Sequence, residues 1–206
     1  GLPASGKGTQ AKILAERKDI KKIVGMGDLI RNVISSDSKD PFVLEVKKRY
    51  DAGIPQPDSV ACDLLQSYLN GESVDQSIIL DNFPFTRSQA EFFYSLLSKE
   101  NLIAHHKLVY IKVRPEIAVK RATTRKVCTD CGGIFGDTES MVCENCGGPL
   151  VVRSDDTVET IQNRIQHYLP KINEVIAYYS EMNLPFVEIN GEGSVDEVSK
   201  LVKEQL

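Results

Sequence analysis

Two residue patterns in this chain are dense enough to do chemistry. The first is the opening, "GLPASGKGT", where Gly1 and Gly6-Lys7 fit GxxxxGK and Thr9 follows the lysine by two places. Glycines at that spacing let successive backbone N–H groups wrap an anion without a side chain in the way. A lysine there reaches the outer oxygens of a polyphosphate, and a threonine opening the next helix sits beside the accompanying Mg²⁺. The plainer alternative is a glycine-rich turn before an ordinary helix. The second pattern is residues 128–146, "CTDCGGIFGDTESMVCENC": two CxxC pairs, each followed by Gly-Gly, with eleven residues between them. Two such knuckles can close round one tetrahedral Zn²⁺. Four thiolates leave no coordination position open, so a metal there is structural and stabilises a segment too short for its own core. Two disulfides, a redox-active CxxC, or iron instead of zinc are the competing readings.

Those residues need elements to position them. Helical spacing marks 9–18, 28–34 and 41–53, the last stopped by Gly53. A helix over 58–71 is expected to start at an Asp58 N-cap and end at Asn70-Gly71. "SIILD" (77–81) is a short apolar run suited to a strand buried on both faces, ending in Asp81. Such an aspartate manages Mg²⁺ and its waters in phosphate-binding folds, or simply caps the strand end. Further strands are expected at 106–113 and 184–190. A long helix over about 157–181 carries Ile161, Ile165, Tyr168, Ile172, Val175 and Tyr179 along one face. "SVDE" (194–197) opens a last helix with a capping box. Strands separated by helices predict an α/β fold with a parallel sheet. Gly1 is the first residue, so the strand that should feed the cradle is expected to be missing from this sequence.

Composition narrows the field. The 206 residues hold 25 Lys and Arg against 29 Asp and Glu, a net charge of −4. Sequence-blind binding to nucleic acid needs a dense basic surface, which this balance opposes. With no membrane-length apolar run and no secretory h-region, neither a membrane nor an export route is expected. The expected compartment is the cytoplasm, where paired cysteines are more often metal ligands than disulfides. Cys62 sits at helical spacing beside Val60 and Leu65 and reads as core. His105, His106 and His167 show no ligand spacing.

"GLPASGKGTQ", "GDLIR" (27–31), "DNFPFT" (81–86) and "RSDD" (153–156) together resemble the adenylate kinase family, in order and spacing, over essentially the whole chain. The cysteine module falls where the zinc-bearing members of that family carry their lid. The resemblance implies a P-loop three-layer α/β sandwich with a parallel central sheet, a small helical acceptor-binding insert and a zinc-ribbon-like lid. It implies a core of about 1–24, 58–124 and 157–206, an acceptor arm of about 25–57 and a lid of about 125–156. The implied reaction moves the terminal phosphoryl group of ATP, with Mg²⁺, to a nucleoside monophosphate, AMP first. Since the acceptor is already an anionic oxygen, no general base is needed, and catalysis is positioning plus charge neutralisation by planar, permanently charged arginines. Gly1, Ser5, Gly6, Lys7, Gly8 and Thr9 would hold ATP, with Arg125 at its phosphates and Arg121 against its adenine. Arg121 and Arg125, four apart, are expected on one face of the helix entering the lid. Arg153 and Arg164 would grip phosphates from the lid's return, and Asp28 and Arg31 would serve the monophosphate. Asp155 and Asp156 would pair with these arginines or cap the long helix. Closure of the lid would expel water, the competing acceptor. A monomer is expected.

The family motif Asp-Gly-Phe-Pro-Arg-Thr reads Asp81-Asn82-Phe83-Pro84-Phe85-Thr86 here. Phe85 stands where an arginine would grip the acceptor phosphate, a group worth about 1.5–3 kcal/mol. Asn82 replaces a glycine that lets the base come close, and Met26 replaces a threonine that contacts it, while Gln89, the other base-reading residue, is present. Arg87 is a candidate substitute for the missing charge. Behind a standard adenylate kinase stand a kinase whose acceptor has changed, with Phe85 and Met26 as an apolar wall, and a weakly active nucleotide binder. A zinc-ribbon nucleic-acid-binding ATPase is a more distant class.

Overall fold

The computed structural model describes residues 1–17, 20, 22–35, 38–52, 54–70, 77–153 and 156–206. Contacts divide the chain into two compact units, one of Gly1–Thr9, Tyr110–Leu169 and Glu188–Leu206, the other of Gln10–Val109 and Pro170–Val187. The chain passes between them within α1 (Lys7–Arg17), β3 (Leu108–Lys112), α7 (Val158–Glu181) and β7 (Phe186–Asn190). No described helix is long and apolar enough to cross a membrane.

The first unit holds the glycine loop and the helix α6 (Pro115–Thr123), which Pro115 opens at a first-turn position where its missing N–H costs nothing. A three-stranded antiparallel sheet follows, ordered β5 (Ile134–Phe135), β4 (Lys126–Cys128), β6 (Leu150–Val152), with Val127 opposite both Ile134 and Val151. Helix α8 (Val195–Glu204) starts with the expected reciprocal capping box of Ser194 and Glu197. One expectation needs correction. Helix α6 ends at Thr123, so Arg125 lies beyond it rather than on its face with Arg121. The hydroxyls of Thr123 and Thr124 both donate to the Lys120 carbonyl at 3.1 Å, a local alternative that weakens helix continuation.

The second unit contains β1 (Lys22–Gly25) and β2 (Ile78–Asp81), paired in parallel from Lys22↔Ile78 to Gly25↔Asp81. This ladder has the parallel order that alternating strands and helices imply. The residues of β2 are half-buried, not buried on both faces as expected. Helices α2 (Met26–Ile34), α3 (Pro41–Asp51), α4 (Asp58–Asn70) and α5 (Arg87–Lys99) supply the rest, with a short 3-10 turn at Ile103–His105. Gly53 and Gly71, the expected helix stops, lie outside the described residues. Asp58 is the first residue of α4 rather than its cap, since the Pro57 carbonyl already accepts from the Ala61 N–H at 3.2 Å. One core joins Met26, Ala61, Cys62, Leu65 and Phe83. A second joins Ala90 of α5 to Val175, Tyr178 and Tyr179 on α7 and to Leu184. Of the expected stripe on the long helix, Ile161, Ile165, Ile172, Val175 and Tyr179 are buried, and Tyr168 is half-buried.

Candidate functional site

Residues 1–6 form a tight loop that leads straight into α1, so Lys7, Gly8 and Thr9 occupy the helix's first turn. Their N–H groups belong to the set that a helix cannot satisfy internally, which favours an anion. Backbone conformation shapes the loop: Gly6 has φ +93 and Ala4 φ +55, and the Ser5 N–H donates to the Leu2 carbonyl at 3.2 Å. Gly1 is packed so closely on the Ile111 carbonyl that a Cβ would collide with it. The Lys7 ammonium donates to the Leu2 carbonyl at 3.3 Å, across the concave side of the loop. The Ser5 hydroxyl is buried without a hydrogen-bond partner among the described residues. An orphaned hydroxyl in the loop that leads into a helix's first turn fits a cradle whose ligand carries oxygen atoms.

In the same unit Arg125 and Asp156 form a two-point ion pair at 2.8 and 2.6 Å, with Arg125 14% exposed and the carboxylate fully buried. Asp156 therefore does what was expected of it, whereas Asp155 lies outside the described residues. Arg121 donates to the carbonyls of Gly191, Glu192 and Gly193 at 2.7, 3.2 and 3.2 Å, fixing the loop between β7 and α8. Arg114 also holds that loop, through the Glu192 carboxylate, whose pKa it draws below the usual carboxylate range. Arg153 and Arg164 are both half-buried.

The sulfur atoms of Cys128, Cys131, Cys143 and Cys146 all lie within 4.8 Å of one another. Close pairs run across the two knuckles, Cys128 to Cys146 at 3.5 Å and Cys131 to Cys143 at 3.6 Å. Those distances rule out S–S bonds, and all four are free cysteines. They suit a tetrahedral ion with metal–sulfur bonds of about 2.3 Å, which sets its ligands about 3.8 Å apart. Both knuckles use the same backbone pattern. The Gly132 N–H donates to the Cys128 carbonyl and the Gly147 N–H to the Cys143 carbonyl, with φ +66 and +77 at the glycines. The Cys131 N–H brings the Cys128 thiol down to about 7. At Cys146 the lowering effect of the Gly148 N–H is outweighed by Cys128 and Cys131, and the thiol rises to about 12. Thiols this close cannot all ionise unless a cation shares their charge. Beneath them lie Leu150 and Phe135, a very small core.

The remaining candidates belong to the second unit. Asp81 ends β2, half-buried, and Asn82 follows with φ +66, in the left-handed region that glycine favours and asparagine tolerates. A preference for glycine at this position therefore has a cause in backbone conformation. Met26 is only 7% exposed and packs inward against Phe83 and Cys62, so it offers little to an apolar wall around a base. Arg31 pairs with Asp28 at 2.5 Å and donates to the Tyr50 hydroxyl at 3.2 Å. Gln89, 3% exposed, accepts from the Phe85 N–H at 2.8 Å and donates to the Asp58 carboxylate at 2.9 Å. Arg87 is bound to Glu181 by two bonds at 3.2 and 2.7 Å and to Glu91 at 3.1 Å, and it stacks over Tyr178. Those partners oppose its use as a stand-in for the arginine absent at 85.

A family model described as adenylate kinase matches residues 1–184. The chain belongs to the adenylate kinase family. It is 35% identical to an adenylate kinase of Ruminiclostridium cellulolyticum over 211 residues, covering 100% of this chain and 96% of that protein. It is 36% identical to one of Clostridium botulinum (strain Eklund 17B / Type B), covering 100% and 97%. An adenylate kinase of Alkaliphilus oremlandii is 34% identical over 96% and 92%. As a member of the adenylate kinase family, the chain is a phosphotransferase acting on nucleoside monophosphates.

Within this adenylate kinase scaffold, sequence reasoning missed a local role for Gln89. Thr86 is the N-cap of α5 and accepts from the Gln89 N–H at 3.2 Å, while the Gln89 side chain reaches back to the Phe85 N–H. The readable signal was T-x-x-Q, a capping-box pattern. Asp58 as the holder of Gln89 had no such signal, because the two are 31 residues apart.

Proposed function

We propose that this adenylate kinase transfers the terminal phosphoryl group of ATP reversibly to AMP, with ATP held in the first unit. The observation that carries the reading is the glycine loop, with its buried, partnerless Ser5 hydroxyl and Lys7 lying across its concave side. Gly1, Ser5, Gly6, Gly8 and Thr9 would surround the phosphates. Lys7, Arg125, Arg153 and Arg164 would neutralise charge as it shifts between donor and acceptor. Arg121 would sit at the adenine, beside the loop it braces. Mg²⁺ bound with ATP supplies further charge neutralisation, and Thr9 and Asp81 are the residues assigned to it. Asp28, Arg31, Asn82, Phe85 and Gln89 would form the acceptor side, with Met26 contributing from the core. On this reading the chain would divide into a core over 1–24, 58–124 and 157–206, an acceptor arm over 25–57 and a lid over 125–156. Zn²⁺ is the ion best suited to the four thiolates, and its closed shell assigns it to holding the lid together.

A second reading, a kinase whose acceptor has changed, draws on Phe85 in place of arginine. Phosphoryl transfer from ATP measured across a panel of nucleoside monophosphates separates the two. Turnover of AMP well above every other acceptor is the expected result. Preference for another base, or no transfer at all, would remove the first reading.

A further inference from the structure

We propose that Lys171 is the cation that meets the acceptor's phosphate, supplying from α7 the charge that position 85 lacks. This rests on the reading of Phe85 and Gln89 as acceptor-side residues. The Lys171 ammonium lies 5.3 Å from the centre of the Phe85 ring, a cation–π contact within the second unit. The backbone that carries the ring is held on both sides. The Phe85 N–H is held by Gln89, Gln89 is anchored to Asp58, and Thr86 caps the helix that follows. From that anchored backbone the aromatic face attracts the ammonium above it.

Competition among charges singles Lys171 out. Arg31, Arg49 and Arg87 of this unit already have partners: Arg31 with Asp28 and Tyr50, Arg49 with Glu45, Arg87 with Glu91 and Glu181. Among the described residues no carboxylate pairs with Lys171, and its ring contact is its one interaction. A quadrupole attracts an ammonium without consuming its N–H donors as a carboxylate would. A phosphate oxygen can therefore be received with no ion pair to displace. Phe85 then acts as the support for a replacement charge rather than as a simple loss of one.

The test is steady-state kinetics of the whole chain with AMP varied at saturating ATP and Mg²⁺. Lys171→Met is expected to raise KM for AMP and lower kcat/KM for AMP by about 10- to 100-fold. KM for ATP should stay put, and the melting midpoint should move by no more than about 4 °C. Lys171→Arg should keep most of the activity, and adding Phe85→Arg to Lys171→Met should restore it. Lys22→Met, which removes an ammonium 5.9 Å from the Tyr68 ring, should leave KM for AMP unchanged. If Lys171→Met keeps kcat/KM for AMP within about twofold, or loses ATP and AMP affinity alike, the proposal is wrong. Should the wild-type chain fail to turn over AMP, the functional reading falls, and AMP binding by calorimetry decides on Lys171. Weaker binding by Lys171→Met supports its role; equal binding, or none by either protein, removes it.

Discussion

Arg125 in the first unit is gripped at two points by a carboxylate with no exposed surface, whereas Arg31 and Arg87 in the second pair through side chains 44% or more exposed. Exposed pairs contribute little and are screened by salt. A buried pair behaves differently: its partners have lost their water, so each depends on the other. In the first unit, position is thus fixed by charge taken out of solvent and by four thiols around a common centre. In the second unit it is fixed by packing and by hydrogen bonds, with Gln89 between Phe85 and Asp58 and with Met26 in the core. The contrast predicts that substitutions in the second unit, such as Phe85, can be absorbed locally. Equivalent changes around Arg125 or the cysteines cannot.

The largest break in this contrast should come from the metal. A structural zinc site contributes about 10–16 kcal/mol to the folding of small zinc-finger peptides. Chelation should release one ion per chain and make the lid region susceptible to proteolysis, while far-UV circular dichroism keeps most of the helical signal. An unchanged melting curve after quantitative metal removal would show that the sulfur cluster holds nothing together.

Next in size is Asp156→Ala, which leaves the Arg125 guanidinium largely buried and unpaired. Denaturant unfolding should register a loss of about 3–5 kcal/mol. The matching change in the second unit, Glu181→Ala, should barely alter the unfolding midpoint. Similar costs for the two would erase the distinction between the units.

The smallest expected effect is on rate. Phe85→Arg alone should raise kcat/KM for AMP by up to about tenfold, less than a wholly missing charge would allow, because Lys171 already stands there. No gain would mean that the acceptor side has been rebuilt beyond one position.

Much of this was readable in the sequence wherever structure is local. The apolar stripe of α7, the Ser194–Glu197 box and the paired cysteines all depend on spacings of a few residues, and all appear where those spacings put them. Helix ends were harder. Arg125 left its expected helix because two threonine hydroxyls bond back into the last turn, and Asp58 fell inside α4 rather than before it. The four-residue strand β1, "KIVG", is too short for its periodicity to stand out. Contacts between distant residues left no local trace: Lys171 meets Phe85 across 86 positions, and Arg87 meets Glu181 across 94. The departure at Phe85 was visible, but the cation above it was not.

One amide at the start of α5 carries a chemical liability. Gln89 presents oxygen to the Phe85 N–H and nitrogen to Asp58, so neither end can be exchanged for the other. Hydrolysis of that group to glutamate would keep the side chain's outline while setting a second acid against Asp58. Two acids so close must share a proton or move apart. An aged sample, or a lineage that acquired this one-atom change, would hold the segment firmly in acid and loosen it near neutrality.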